Sequence, residues 1–225
     1  MKAMRKWTHL FLAAVLALAA TTAHAQISQE IVNIMKKSQA VLDNPSGVEM
    51  VMSIRSGMGP LSMTTNMTTY SKGDKSLILM SMKILGREVK TEVGCDGTQV
   101  WKYKSRIKTK DVDRRDTLFI SPAKKGNKIS GGNEIDFNLH EEYRKATMKE
   151  KTDYYEITFT EPKDKEMPKK SIMRIRKNNY HFYEMESKQS GVSVRMTASK
   201  IKFGVSDNIF KLDMKKFPGA TVIRK

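Results

Sequence analysis

Residues 48–72 read VEMVMSIRSGMGPLSMTTNMTTYSK, the clearest strand pattern in the sequence. Apolar residues such as Met50 and Met52 alternate with polar ones, and the alternation resumes at Met63 after the turn formed by residues 57–60. A period of two is typical of a β-strand with one buried face. Two such runs joined by a short Gly/Pro turn predict an antiparallel hairpin.

The same pattern continues along the chain. It predicts further strands over residues 77–82, 88–93, 100–104, 143–148, 154–160, 171–177, 180–188 and 192–203. Apolar residues at helical spacing predict one helix over residues 27–42, with Ser28 as its N-cap. Short strands joined by tight turns indicate a mainly β (α+β) fold, an antiparallel meander of roughly ten or eleven strands.

The middle of the chain departs from this pattern. Residues 113–120 are interpreted as a short helix. Residues 121–133 are rich in Lys, Gly, Ser and Asn, which predicts a surface loop. Residues 135–143 fit either a helix or a loop.

The first 25 residues have the layout of a secretory signal. A basic start precedes an apolar run from Leu10 to Ala20, and residues 23–25, AHA, form a cleavage site. The apolar run is too short to cross a bilayer as a helix. We therefore expect an exported protein, cleaved after Ala25, with a single domain over residues 26–225. Because residue 26 is Gln, we expect no lipid on a mature N-terminal cysteine.

The chain is strongly basic, with 41 Lys and Arg against 24 Asp and Glu. Removing the three basic residues of the signal leaves 38 against 24, a net charge of +14. In an exported protein this charge favours transient attraction to an anionic membrane surface over nucleic-acid binding. A charge-rich surface that serves only solubility is an equal alternative. Cys95 is the single cysteine, and we expect it to be a buried thiol.

Motifs that carry catalytic chemistry are missing from the sequence. It contains no nucleophile elbow, zinc-protease helix or phosphate-binding loop. The mature chain has two histidines, His140 and His181, which is fewer soft or imidazole ligands than a metal site usually needs. We therefore expect no enzyme activity, metal or cofactor, although a pair of catalytic carboxylates leaves no sequence motif.

Methionine is unusually frequent, with 16 in the chain. Several, including Met50, Met52, Met63 and Met67, fall on the apolar side of predicted strands. Strand interiors usually contain branched residues, whereas flexible methionine suits a surface that accepts varied apolar shapes. The methionines either form a wall for acyl chains or belong to an ordinary core.

Three features occur in a fixed order. The signal and one amphipathic helix precede the strands. Residues 93–103, VGCDGTQVWKY, form a strand–Asp-Gly–strand motif that ends in Trp and a second aromatic residue. Residues 208–213, NIFKLD, and residues 217–223, FPGATVI, close the chain. Together they resemble the periplasmic outer-membrane lipoprotein carrier family, LolA, and its superfamily.

This resemblance implies an unclosed antiparallel β-barrel of about eleven strands, with the N-terminal helix and a helical lid over its concave face. It implies a periplasmic carrier of lipidated proteins or other acyl lipids between the inner and outer membranes, and we expect it to be a monomer. Cargo would come from an inner-membrane transporter and pass to an outer-membrane acceptor. Family carriers place a basic residue that hydrogen-bonds the lid near the position of Gly73. Here Lys72 or Lys75 would have to substitute, and a lysine lacks the guanidinium fork.

We expect the lipid-binding residues to line one face of adjacent strands. They are Met50, Met52, Ile54, Met63, Met67, Leu77, Leu79, Val89, Val93, Trp101 and Tyr103. The lid residues are Ile31, Ile34 and Met35. Met80 and Met82 fall on the opposite side of a strand that is apolar on both faces, and a one-residue error would exchange the two sets.

Two other functions are compatible with the sequence. The first is a LolA-like sensor or interaction domain that binds a partner protein, with lipid only as a regulator. The second is an enzyme that acts on an anionic envelope substrate. A tightly packed concave face would favour the former, and carboxylates or histidines at a cavity mouth would favour the latter.

Overall fold

The computed structural model describes residues 27–58, 61–84, 87–108, 113–123 and 139–225. The expected signal and most of the expected loop over residues 121–133 lie outside these described residues. Two α-helices are described, α1 over Gln29–Leu42 and the single turn α2 over Leu139–Glu142. Two 3-10 helices, Asp207–Phe210 and Met214–Lys216, lie near the end of the chain.

The described residues form fourteen strands, numbered in chain order. They are β1 Val48–Met58, β2 Leu61–Lys72, β3 Lys75–Ile84, β4 Arg87–Cys95, β5 Gln99–Lys104, β6 Ile107–Lys108, β7 Asp113–Arg114, β8 Thr117–Pro122, β9 Tyr143–Glu150, β10 Tyr154–Pro162, β11 Lys170–Arg176, β12 Phe182–Gln189, β13 Val192–Phe203 and β14 Thr221–Arg224.

Twelve of these strands form one open sheet, in the order β14-β8-β5-β4-β3-β2-β1-β13-β12-β11-β10-β9. All neighbours are antiparallel except β14 and β8, which are parallel. Strands β6 and β7 pair separately. The expected mainly β fold with an unclosed antiparallel sheet is confirmed, with twelve strands in the sheet.

The sheet consists of two meanders joined at its centre. One runs from β1 to β8 and the other from β9 to β13. The junction is the long antiparallel pair β1–β13, whose register extends from Val48↔Phe203 to Met58↔Val192. Residues from both meanders therefore lie side by side across the middle of the sheet.

Helix α1 forms where the sequence predicts it. The side chain of Ser28 accepts a hydrogen bond from the backbone N–H of Ile31 at 3.4 Å, which caps the helix. Its buried residues are Ile31, Ile34, Met35 and Ser38, which share one side because they are three or four positions apart. This side packs on one face of the sheet, which we call the helix face.

The Asp-Gly motif makes the tight turn between β4 and β5. Asp96 Oδ1 accepts hydrogen bonds from the backbone N–H groups of Thr98 and Gln99, both at 2.8 Å. Burial raises the pKa of the Asp96 carboxyl, but these hydrogen bonds outweigh burial and leave the pKa lowered. Gly97 has a φ of 93°, a conformation that a side chain disfavours.

Residues 113–120 are not a helix, so that interpretation is wrong. They contribute to β7 and β8, and β8 lies between β5 and β14. Leu118 and Ile120 are buried with an intervening half-buried residue, a period-two pattern that pairing on both sides stabilises. Cys95 is a free, buried cysteine, as expected. Within the described residues, no helix has the length and apolar character needed to span a membrane.

Candidate functional site

The helix face of the sheet brings methionines of neighbouring strands into register. Met52 pairs with Met67, and Met67 pairs with Met80. Two residues before Met80 on β3, and therefore on the same face, Ile78 pairs with Val93 of β4. Cross-strand partners lie on the same face, so these residues form one apolar surface across β1 to β4. All five belong to, or pack against, the apolar cluster that includes α1.

Helix α1 covers the centre of this surface. Ile31, Ile34 and Met35, the expected lid residues, are between 1% and 6% exposed. They lie in one buried cluster with Met50 and Met52, which are 5% and 1% exposed. The expected lid and part of the expected wall are therefore in place, and they pack directly together.

The docking of α1 includes one unfavourable feature and one favourable contact. Ser38 is 1% exposed, and its Oγ has no hydrogen-bond partner among the described residues. A buried hydroxyl without a partner destabilises the docked helix. At the helix surface, Lys37 Nζ donates to Tyr180 Oη at 3.1 Å and lies 4.6 Å from the centre of its ring. This exposed contact ties α1 to the turn before β12.

The second meander extends the same apolar surface. Ile157, Phe159, Met173 and Ile175 are completely buried, and Phe182 is 2% exposed. They belong to the same cluster as α1. The sequence analysis did not include them because it restricted the candidate face to β1–β5. Their alternation along β10 and β11 was the available signal.

One line of mostly apolar residues crosses seven strands, and we call it the methionine row. Its members are successive cross-strand partners from β11 to β4. They are Met173, Met185, Met196, Ile54, Thr65, Met82 and Val89. With neighbouring strands about 4.8 Å apart, the row is roughly 29 Å long.

Exposure rises from one end of the helix face to the other. Met52 is 1% exposed, whereas Ile54 in the methionine row is half-buried. Beyond the row, Met63 pairs with Ser56 and is 40% exposed. The apolar surface therefore begins under α1 and reaches solvent near the β1–β2 hairpin tip.

The expected site residues do not all share a face. Leu77, Leu79, Trp101 and Tyr103 belong to a separate cluster on the opposite side of the sheet, so placing them with the others was wrong. The cause is β3, where Leu77 and Leu79 alternate with Ile78 and Met80, giving an apolar strand with no polar side to orient it. Met80 and Met82, which the sequence analysis had put on the other side, lie on the helix face.

The remaining expected wall residues lie on the helix face. Val89 and Val93 are each 7% exposed, and they pair with Met82 and Ile78. Met50, Met52, Ile54, Met63 and Met67 alternate along β1 and β2 on that face. The structure therefore brings together seven of the eleven expected wall residues, namely Met50, Met52, Ile54, Met63, Met67, Val89 and Val93.

The C-terminal segment covers the opposite face, which we call the tail face. Phe210 and Phe217 are buried there with Leu77 and Trp101. The ring of Tyr103 lies 4.7 Å from that of Phe217. Tyr103 therefore anchors the end of the chain and is remote from α1.

Gly94 explains the close fit of Trp101 within the VGCDGTQVWKY motif. A Cβ on Gly94 would lie 2.0 Å from Trp101 Cζ2, so only glycine leaves room for the indole ring. Trp101 Nε1 donates to Glu92 Oε1 at 2.9 Å, which satisfies the ring nitrogen. The motif is therefore a packing device of the tail face.

Lys72 and Lys75 also serve the tail face. Their ammonium groups lie 3.0 Å and 2.9 Å from the carboxylate of Asp207, at the start of the first 3-10 helix. Hydrogen bonds from Lys75 and Lys72 lower the pKa of Asp207. Among the described contacts neither lysine reaches α1, so neither takes the place of a lid-binding arginine.

An ion-pair network holds the tail face of the second meander. Arg174 donates to Glu156 at 2.9 Å and to Glu186 at 2.7 Å, and it also contacts Glu184. Arg195 lies 2.9 Å from Glu186. Burial raises the pKa of Glu186, but Arg174 outweighs burial and leaves that pKa lowered. The network links β10 to β13 on the side away from α1.

Groups suited to catalysis or metal binding are sparse. Within the described ranges, no three His, Cys, Asp or Glu side chains are placed to hold a metal ion. Burial lowers the pKa of His181, which lies in the turn before β12. His140 is 11% exposed and lies 3.8 Å from Glu141 of the same helical turn.

No family model and no curated protein matches the chain. Among solved structures, an uncharacterized conserved protein from Thermus thermophilus matches with a TM-score of 0.52 and 11% identity, over 88% of this chain and 100% of that chain. A LolA superfamily protein from Nitrosomonas europaea matches with a TM-score of 0.38 and 14% identity, over 80% and 97% of the two chains. The MucA/MucB complex of Pseudomonas aeruginosa matches with a TM-score of 0.45 and 6% identity, over 83% of this chain and 62% of that chain.

At 11% identity, the match to the Thermus thermophilus protein concerns the fold and not the activity. The order of elements agrees with the expectation from the motifs: one N-terminal helix, an open antiparallel sheet and a closing C-terminal segment. The chain therefore has the open antiparallel sheet with covering helices that its resemblance to the LolA family implies.

Proposed function

We propose that this chain is a periplasmic carrier that shelters the acyl chains of lipidated proteins or other lipids on its helix face. The observation that carries the proposal is the methionine row, a mostly apolar line across seven strands. The half-buried members from Met185 to Met82 span four strand spacings, about 19 Å, which exceeds the roughly 15 Å thickness of one bilayer leaflet's hydrocarbon layer, so an acyl chain fits along them.

The energetics of transfer require such a surface. Exposing a methylene group to water costs about 0.8 kcal/mol, so an acyl chain of a lipid costs on the order of 10 kcal/mol. A carrier must replace the apolar surroundings of the chain and must also release it. Methionine side chains are unbranched and polarizable, so a methionine wall adapts to different chains without a fixed shape.

Helix α1 supplies the movable cover in this proposal. Ile31, Ile34 and Met35 occupy the part of the helix face beside the methionine row. An acyl chain that extends from the exposed region near Met63 toward Met52 has to displace them. The buried hydroxyl of Ser38 lowers the cost of that displacement, because it gains water when the helix lifts.

The carrier would move lipidated proteins or other acyl lipids between the inner and outer membranes. Cargo would come from an inner-membrane transporter and pass to an outer-membrane acceptor by mass action, without a covalent step. Cleavage after Ala25 would leave a net charge of +14. This charge would hold the carrier near anionic membrane surfaces.

A partner-binding sensor is the second candidate function, and one observation favours it. The centre of the second meander, at Ile157, Phe159, Met173 and Ile175, is completely buried. A helix face that stays packed would leave no room for an acyl chain. Lipid would then act only as a regulator, and the exposed surface would bind a protein.

The test is uptake of an uncharged apolar dye, N-phenylnaphthylamine, measured by fluorescence. Met82→Glu places a carboxylate in the methionine row, and we expect it to weaken dye binding by about tenfold or more, since a buried charge is strongly unfavourable. Met63→Glu, at a 40% exposed position beside the row, is the milder variant if Met82→Glu fails to fold. Met214→Glu is the matched control, because Met214 is 42% exposed on the C-terminal segment.

Equal dye binding by Met82→Glu and Met214→Glu would contradict the proposed wall. A wild-type protein that binds no dye and yields no lipid to solvent extraction and mass spectrometry would favour the partner-binding sensor.

A further inference from the structure

Strands β12 and β13 separate at one end, although both continue. Their register runs from Gln189↔Val192 to Glu184↔Thr197. Beyond that pair, β12 continues its pairing with β11, where Phe182 lies opposite Ile175. The remaining residues of β13, through Phe203, are in register with β1. A gap therefore opens within the sheet, between strands that are each held from the outside.

Irregular pairing on both sides accounts for the gap. The β11–β12 register shifts between Arg174 and Ile175, and the β1–β13 register shifts between Val51 and Met52. A bulge bends its strand and increases its twist. Both irregularities lie at the level where the register of β12 with β13 ends, next to Glu184 and Thr197.

The gap is a cleft of about 430 Å³. Thr197 Oγ1 and Glu184 Oε2, 3.4 Å apart, mark one end, where pairing of the two strands begins. Near the other end, the rings of His181 and Phe203 approach to 5.8 Å. The cleft therefore lies between these two contacts, and its volume is in the range of small-molecule sites, enough for a phosphate together with the group it is attached to.

The cleft is lined by three cationic side chains, Arg176, Lys177 and Lys200, and one carboxylate, Asp153. Arg176 lies over the ring of Tyr183, with its guanidinium carbon 4.0 Å from the ring centre. Among the described residues no carboxylate forms an ion pair with Arg176. Its N–H edges are therefore held in position and free to bind an anion.

Each of the two lysines forms an ion pair with a glutamate. Lys177 Nζ lies 2.8 Å from Glu150 and Lys200 Nζ lies 2.6 Å from Glu49. An ammonium group has three donors, so each lysine keeps donors for a ligand. Each lysine charge is thus matched by a glutamate beside the cleft, and Arg176 is the lining cation without a carboxylate partner among the described residues.

The inner wall of the cleft is apolar. Phe182, Ala198 and Ile201 line it, and all three also belong to or pack against the cluster under α1. A ligand with an anionic group and an apolar tail would find the anion site in the cleft and the apolar surface behind it.

We propose that the cleft between β12 and β13 binds the phosphate group of a lipid headgroup or of a soluble phosphate ester, with Arg176 as the principal ligand and Lys177 and Lys200 beside it. A phosphate diester or monoester matches the planar donors of a guanidinium and the added lysines. The lipid form of this inference rests on the proposed function, because only then does the tail continue onto the helix face.

The test uses isothermal titration calorimetry of the whole protein with two probes, glycerol 3-phosphate and dihexanoyl phosphatidic acid below its micelle concentration. The variant Arg176→Gln/Lys200→Gln removes two cations from the cleft. The matched control, Arg144→Gln/Lys145→Gln, removes the same charge from an exposed part of β9. Thermal unfolding monitors the fold of both variants.

We expect both probes to bind, and the cleft variant to raise both dissociation constants by about tenfold or more, because two charge-assisted hydrogen bonds are lost. The control should change them by less than about twofold, since distant charges are screened. Tighter binding of the lipid probe would assign the phosphate to a headgroup, and equal binding would assign it to a soluble ester.

Failure of both probes to bind, or equal weakening by the two double variants, would overturn the cleft as a phosphate site. Uptake of the uncharged dye tests the carrier proposal separately, and the cleft variant should leave it unchanged. Phosphate binding without dye uptake would refute the carrier proposal and support the phosphate site. Dye uptake without phosphate binding would refute the phosphate site and support the carrier proposal.

Discussion

Replacing Ser38 with alanine should stabilise the protein and, at the same time, weaken its uptake of apolar ligands. Ser38 is 1% exposed on the docked side of α1, and its hydroxyl has no partner among the described residues. A buried polar group without a hydrogen bond costs about 1–3 kcal/mol. The substitution removes this cost, adds about 0.5 kcal/mol of helix propensity, and loses only the packing of one oxygen atom.

We therefore expect Ser38→Ala to raise the free energy of unfolding by about 1–2 kcal/mol, which corresponds to a rise in Tm of about 2–8 °C for a chain of this size. The hydroxyl is solvated when α1 lifts, so the gain applies only to the docked helix. If uptake requires α1 to lift, the same change should weaken dye binding by about 5–30-fold. Circular dichroism gives the Tm, and fluorescence titration gives the affinity.

Asn33→Ala is the matched control because Asn33 is exposed on the same helix, where it accepts a hydrogen bond from Gln29 at 3.0 Å. It changes helix propensity without changing the docked surface. A Tm for Ser38→Ala no higher than that of Asn33→Ala would refute the argument about the hydroxyl. A raised Tm with unchanged dye affinity would refute the movable helix.

Two further predictions concern the tail face. Gly94→Ala should lower the free energy of unfolding by about 3 kcal/mol, because its Cβ would overlap the indole of Trp101 and overpacking a core is costly. Adding Trp101→Leu should recover part of this loss, as measured by urea unfolding. If the losses of the two substitutions are fully additive, the cause is not steric. The Glu186 carboxyl has a lowered pKa in the folded protein, so its stabilising effect is complete above its unfolded pKa of about 4.3 and is lost as pH falls through the folded value. The stability difference between the wild type and Glu186→Gln should therefore shrink between about pH 5 and about pH 3, and a difference that stays constant over this range would argue against the ion pair with Arg174.

The fold was predictable because its local signals agree with one another. The alternation along β1 and β2 and the capped helix are present in the structure at the predicted places, whereas residues 59–60 of the predicted turn lie outside the described residues. Where a strand has polar residues on one side, as β1 has Ser53 and Arg55, the sequence also predicts which face is buried. That is why Met50, Met52 and Ile54 were assigned to the correct face.

The candidate site was only partly predictable because both faces of the sheet are covered. β3 carries apolar residues on both sides, since α1 packs near Ile78 and the C-terminal segment packs on Leu77. No local pattern distinguishes the two sides of such a strand. Trp101 and Tyr103 were misplaced for the same reason, because the residues that bury them, Phe210 and Phe217, are far away in the sequence.

The junction of β1 with β13 has a consequence for how the molecule forms. Val48 pairs with Phe203, so the centre of the sheet joins residues from near the two ends of the described chain. Bringing such distant residues together closes a long loop and costs conformational entropy, so a fold that depends on these contacts forms more slowly. A chain that emerges progressively from a ribosome or a translocation channel can form each meander early, but it cannot complete the sheet until Phe203 has emerged. During that interval the edges of β1 and β13 are open to pairing with other chains, so chaperone protection would be most needed there.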